Sequence, residues 1–143
     1  MTGKTIQILL MGTIFALTCA VGQSGEPQAN TVRVSGEVIG ASGQHTIYVL
    51  LWDVQGFLVN PVQQLQIRPG GRPHFEFVVA PGRWAVGAYE DRNENAKLDM
   101  GLLGPKEPNG FWRQFKGWHK SRFDEVAETV EHDLLDANVN LRH

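Results

Sequence analysis

Cysteine is almost absent: the 143-residue chain has one, Cys19, inside its first apolar run. A lone thiol closes no intramolecular disulfide, which excludes the disulfide-stapled small folds. An excess of charge of one sign is missing too. Thirteen Lys and Arg stand against 15 Asp and Glu, unlike the strongly basic composition of a general nucleic-acid binder. The one long apolar run, Ile6 to Val21, is shorter than the roughly 20 residues a membrane-spanning helix needs. There is no G-x-S-x-G, no H-E-x-x-H and, past the first run, no cysteine nucleophile. His45, His74, His119, His132 and His143 are scattered without metal-ligand spacing and read as surface histidines. Carboxylate pairs such as Asp124–Glu125 fall in a charged, solvated stretch. No catalysed reaction is legible here, and the chain reads as non-enzymatic.

The N-terminus carries an address. Lys4 precedes the uncharged run Ile6 to Val21, and Ala20 and Gly22 stand three and one residues before a cut at Gln23. A positive start, a short apolar core and small residues at the cut make a secretory signal over 1–22. The expected location is therefore the periplasm or the medium. Lipid anchoring through Cys19 is disfavoured, because Thr18 and Ala16 stand where a small residue and a leucine are preferred. Removing 1–22 removes Lys4 and no acid, leaving 12 basic against 15 acidic residues, a net of −3. The remainder, about 120 residues, suits one domain with a real core. Without a disulfide, packing or a bound ion must hold it in an oxidising compartment.

Residues 23–30 are polar, with Gly25 and Pro27, and read as a disordered lead-in. From residue 31 to 143 the pattern is that of a β domain. Val32, Val34, Gly36 and Val38 alternate with polar residues, as in a half-buried strand. Thr46 to Val54 is more continuously apolar (Ile47, Val49, Leu50, Leu51, Trp52), as expected of a central strand. Pro61 restricts the next stretch to an edge or a loop, and Leu65 and Ile67 begin a short alternation. Phe75, Phe77 and Val79, a Pro81-Gly82 turn, and Trp84, Val86 and Ala88 predict a hairpin, with Ala85, Gly87 and Tyr89 on the other face of the return strand. Phe123 to Val130 fits both a helical face and a strand. Ala137, Val139 and Leu141 alternate in a final strand over 136–141. Short strands at this spacing predict an all-β sandwich.

The most distinctive stretch comes after Tyr89. Asp91, Asn93, Asn95 and Asp99 carry short side-chain oxygens at spacings of two, two and four. Set against an EF-hand-type loop, Asp91, Asn93 and Asn95 take positions one, three and five, the Lys97 carbonyl position seven and Asp99 position nine. Ala96 stands where that loop has its turn glycine, and Leu102 where it has a bidentate glutamate. Glu107 or Glu90 would have to supply the missing carboxylate. With two charged ligands, Ca²⁺ affinity would fall in the roughly millimolar range of extracellular modules. The competing reading is a structural loop whose Asp and Asn side chains bond nearby amides in Asx-turns.

The run P-G-R-W-A-V-G-A-Y-E-D-R-N-E-N-A-K-L-D, then L-G-P-K-E-P-N-G-F, resembles the exported bacterial family DUF2141, a domain of unknown function. That family's pattern runs approximately P-P-G-x-Y-A-V-x-V-x-H-D-x-N-x-N-G-K-L-D, followed by G-I-P-x-E-G-x-G-F-S. The matching positions are Pro81, Gly82, Ala85, Val86, Asp91, Asn93, Asn95, Lys97, Leu98, Asp99, Gly104, Pro105, Glu107, Gly110 and Phe111. Departures are Trp84 for Tyr, Glu90 for His, Ala96 for Gly, one residue fewer between Gly104 and Pro105, and Trp112 for Ser. The resemblance implies an immunoglobulin-like or transthyretin-like β-sandwich of about seven strands, and it tips Phe123 to Val130 towards strand. It implies no mechanism.

One segment departs from the family's more polar pattern. Phe111 to Phe123 reads F-W-R-Q-F-K-G-W-H-K-S-R-F, its aromatics interleaved with Arg113, Lys116, Lys120 and Arg122. Trp112, Phe115 and Trp118 could form a platform for a glycan or a membrane interface. The alternative is a cap, with the rings folded onto one end of the sandwich and the cations reaching water.

Overall fold

The computed structural model describes residues 29–117 and 119–143. The expected signal over 1–22, Cys19 within it, and Trp118 of the aromatic platform lie outside them. Of the lead-in over 23–30, only Ala29 and Asn30 fall within, both exposed and without regular structure.

The strands alternate much as the residues ask. β1 (Val32–Ile39) buries Val32, Val34 and Val38. β2 (Thr46–Trp52) is central, with β3 (Gln63–Ile67) on one side as the edge that Pro61 predicts. β4 (His74–Val79) buries Phe75, Phe77 and Val79 and exposes His74, Glu76 and Val78. β5 (Gly82–Asp91), the longest, is buried on both faces from Ala85 onward. Then come the small hairpin of β6 (Met100–Gly101) and β7 (Gly104–Pro105), and β8 (Asn109–Phe111). One helical turn, α1 (Phe123–Val126), leads into β9 (Glu128–Val130), and β10 (Val139–Asn140) ends the order. The described residues are all-β, with seven strands of three residues or more and three of two.

Two sheets share one core. The first has the order β10-β1-β4, with β10 parallel to β1. The second has the order β3-β2-β5-β8, and β9 pairs with the start of β5 on the ladder side that β8 takes further along. Val34, Phe75 and Val139 of the first sheet meet Val49, Leu51 and Val86 of the second in a single apolar cluster. Each such side chain gains about 1.5–3 kcal/mol on burial, the driving force that replaces a disulfide here.

The expected hairpin of Phe75–Val79 with Trp84–Ala88 does not form. β4 pairs with β1, Val34 opposite Phe77, while β5 pairs with β2, Val49 opposite Ala88. The Pro81-Gly82 turn therefore passes the chain from one sheet to the other. Alternation reports which face a strand buries, and a sandwich crossing satisfies it as well as a hairpin does. Phe123 to Val130 resolves into both of its readings in succession. Ala127 N–H donates to the Phe123 carbonyl at 2.8 Å and Glu125 accepts from the Arg122 amide at 2.8 Å, closing one helical turn before the strand begins.

The expected last strand is shorter in ladder than in pattern. Ala137, Val139 and Leu141 are all buried, yet only Val139–Asn140 forms a strand. The segment serves both sheets: the Leu141 amide donates to Ile39 at 2.8 Å, and Arg142 exchanges backbone bonds with Asn109 of β8 at 2.9 and 3.1 Å. Gly110 allows this closure, because a Cβ there would lie 2.1 Å from the Asn140 carbonyl oxygen.

Candidate functional site

The Asp/Asn loop leaves the end of β5 and returns at β6. Asp91 is 1% exposed and turns back into its own loop, accepting from the Asn95 amide at 3.2 Å and the Ala96 amide at 2.8 Å. Asn93 and Asn95 accept from the amides of Asn95 and Lys97 at 3.3 and 2.9 Å. Their side-chain NH₂ groups donate to Asp99, Asn95 at 3.1 Å to each oxygen. From across the loop Glu107, 6% exposed, accepts from the amides of Arg92 at 2.9 Å and Asp99 at 3.2 Å.

The structure thus brings Asp91, Asn93, Asn95 and Asp99 into one hydrogen-bonded loop. Lys97 contributes an amide to it and is one of the residues lining a cleft alongside. Ala96 holds the left-handed φ of 61° that an EF-type loop gives to glycine, and Glu94 has φ 60°. Among the described residues no three Asp, Glu, His or Cys side chains converge as a metal-holding group.

Of the two acids weighed as a further ligand, Glu107 reaches the loop and Glu90 does not. Strand parity turns Glu90 onto the face of Val86 and Ala88, where it is fully buried and accepts from the Ser42 amide at 3.0 Å and from the Ser42 hydroxyl. Burial alone would raise its pKa. The two Ser42 bonds, aided by Arg92 and His45, outweigh that and hold the carboxyl below its ordinary range. On the opposite face of β5, Tyr89 stacks on Tyr48 with centroids 5.1 Å apart. Burial first, then Tyr48 and the charges of Asp91 and Glu107, push its phenol well above the usual range, so it stays neutral.

Trp112 and Phe115 of the aromatic segment lie against the body of the protein. Trp112 donates its indole N–H to the Val126 carbonyl at 2.6 Å and packs against the shared core. Phe115 is half-buried against a second cluster, and its ring meets His119 edge-on at 5.2 Å. Arg113, Lys116, Lys120 and Arg122 are exposed. Trp112 and Phe115 thus each keep part of their rings at the surface.

That second cluster covers the outer face of the five-stranded sheet, where Trp52 and Ala85 meet Phe123, Val126 and Ala127. Beside it opens a cleft of about 360 Å³, lined in part by Leu50, Trp52, Leu58, Tyr89, Lys97 and Phe111. Sequence reasoning places Trp52 in the core and misses this cleft. Parity holds the signal, since Tyr48, Leu50 and Trp52 alternate against Ile47, Val49 and Leu51. A strand apolar on both faces needs a second cover. Gly87 makes room for it: a Cβ there would lie 3.0 Å from both the Trp52 and Phe111 rings.

Compared with known proteins, residues 37–136 match the model of a family described as "Uncharacterized protein conserved in bacteria (DUF2141)". Among solved structures, the chain is similar to the crystal structure of a DUF3823 family protein from Parabacteroides merdae ATCC 43184. The identity is 11% and the TM-score 0.35, over 79% of this chain and 46% of that one, so the chain spans less than half of that protein's length. No curated protein matches the chain.

Proposed function

The chain belongs to the DUF2141 family, and from that premise we propose that it is an exported, non-enzymatic binding or accessory module of the cell envelope. In this reading the two sheets form an immunoglobulin-like or transthyretin-like sandwich, delivered by the signal over 1–22. The observation that carries it is the use made of the acids. Asp91 and Glu107 are spent on backbone amides and Glu90 on Ser42, which leaves none of the three free to move a proton. Buried carboxylates held in this way are struts. The cleft on the outer sheet face, by contrast, is apolar in most of its lining, as binding sites are.

The test uses protein made from the full chain in a bacterial host. It should be recovered outside the cytoplasm with Gln23 as its first residue. Calorimetry of that material should give the same melting temperature with and without millimolar Ca²⁺. Asp99→Ala removes side-chain bonds while sparing those of Asp91, and should lower the melting temperature equally in both conditions. Retention in the cytoplasm overturns the export reading. A rise with Ca²⁺ that Asp99→Ala abolishes replaces the self-bonded loop with an ion-ordered one.

A further inference from the structure

The cleft on the outer sheet face carries two features that packing does not use. The first is the indole nitrogen of Trp52. It is the only buried side-chain nitrogen or oxygen among the described residues without a hydrogen-bond partner, on a side chain 5% exposed that lines the cleft. Buried donors are almost always paired, and an orphan beside a concavity is a donor in want of an acceptor. The second is Lys97, the sole charged residue of the lining. It is exposed and makes no ion pair among the described residues. The walls include Leu50, Leu58 and Phe111, with Gln64, Tyr89 and Asn109 as further polar groups.

We propose that this cleft binds a small amphiphilic carboxylate, with its anionic end at Lys97 and its apolar body running along Leu50, Leu58 and Phe111 towards the Trp52 ring. The assignment rests on the reading of the chain as a binding module and names the ligand class of that module. Its volume lies in the range of small-molecule sites, roughly 300–1,000 Å³, and its one charge selects an anion over a cation. The Trp52 indole, packed beside the turn that follows β2, reports occupancy of the apolar end. Phe57 of that turn lies edge-on to the Trp52 ring at 5.7 Å, and Leu58 holds a left-handed φ of 61°. A non-glycine residue in that conformation marks a segment under strain, the kind that moves at ligand sites.

The probe is octanoate, with octylamine and octanol as controls, read through the indole N–H signals of ¹⁵N-labelled protein. Trp52→Phe identifies the Trp52 signal by its loss, and the remaining indoles report that the fold is intact. Octanoate should shift the Trp52 signal saturably, and Lys97→Ala should weaken that binding about two- to fivefold, as loss of an exposed charge pair does. Octylamine should leave the signal in place and octanol should bind more weakly than octanoate. No saturable shift with millimolar octanoate, or an equal response to octylamine or octanol, overturns the proposal. The module reading is decided separately, by export and the Ca²⁺-independent melting temperature.

Discussion

The Asp91–Asp99 loop and the cleft beside it are neighbours built on opposite terms. In the loop, the two buried carboxylates meet backbone amides, and the Asn side chains between them donate to Asp99. In the cleft, a buried indole N–H has no partner and a lysine is one residue of a mostly apolar lining. Residue types alone would assign the opposite roles, since acids and amides look functional and a tryptophan in an apolar strand looks like core. A polar group whose bonds are complete is part of the scaffold, whereas one left short awaits something from outside.

The sharpest way to break this contrast is Glu107→Ala. It strips partners from the Arg92 and Asp99 amides at once, and the expected loss is about 3 kcal/mol, on the scale of charge-assisted bonds to a buried acceptor. Urea denaturation measures it; a loss near zero would show that the loop does not depend on its struts. Trp52→Phe probes the other side. It removes a donor that bonds nothing but also leaves a small void in the outer cluster, so the loss should be about 1–2 kcal/mol in the same assay. A loss as large as that of Glu107→Ala would exceed what the void costs and would mean that the contrast fails. The smallest effect is expected at Ala96, whose φ of 61° is unfavourable for a side chain. Ala96→Gly should raise stability by about 0.5 kcal/mol once the greater freedom of glycine in the unfolded chain is offset. A loss would show that the turn tolerates alanine without strain.

Much of the loop was legible. Asp91, Asn93, Asn95 and Asp99 could be picked out by spacing, and Glu107 could be named as one of two acids able to join them. The choice between Glu107 and Glu90 was not legible from spacing alone, though the parity of β5 contained it. Glu90 follows Val86 and Ala88 on every second position and so turns inward to Ser42, while Asp91, one residue on, turns into the loop. The aromatic segment divides in the same way. Phe111 and Phe115 pack on the outer cluster, and Trp112 packs on the inner core.

What the sequence determined by itself was local: strands of period two, the turns between them, the family's loop and the face each residue presents. These arise from neighbours a few positions apart, and the chain's geometry enforces them wherever it folds. Tertiary structure decided the partners. It joined β4 to β1 rather than to β5, set the C-terminal segment against both sheets, closed the loop with an acid 15 residues from Arg92, and left Trp52 without an acceptor. A hydrogen bond depends on where two distant groups come to rest, and period two carries no information about that distance. The same limit explains why the loop stood out in the sequence and the cleft did not.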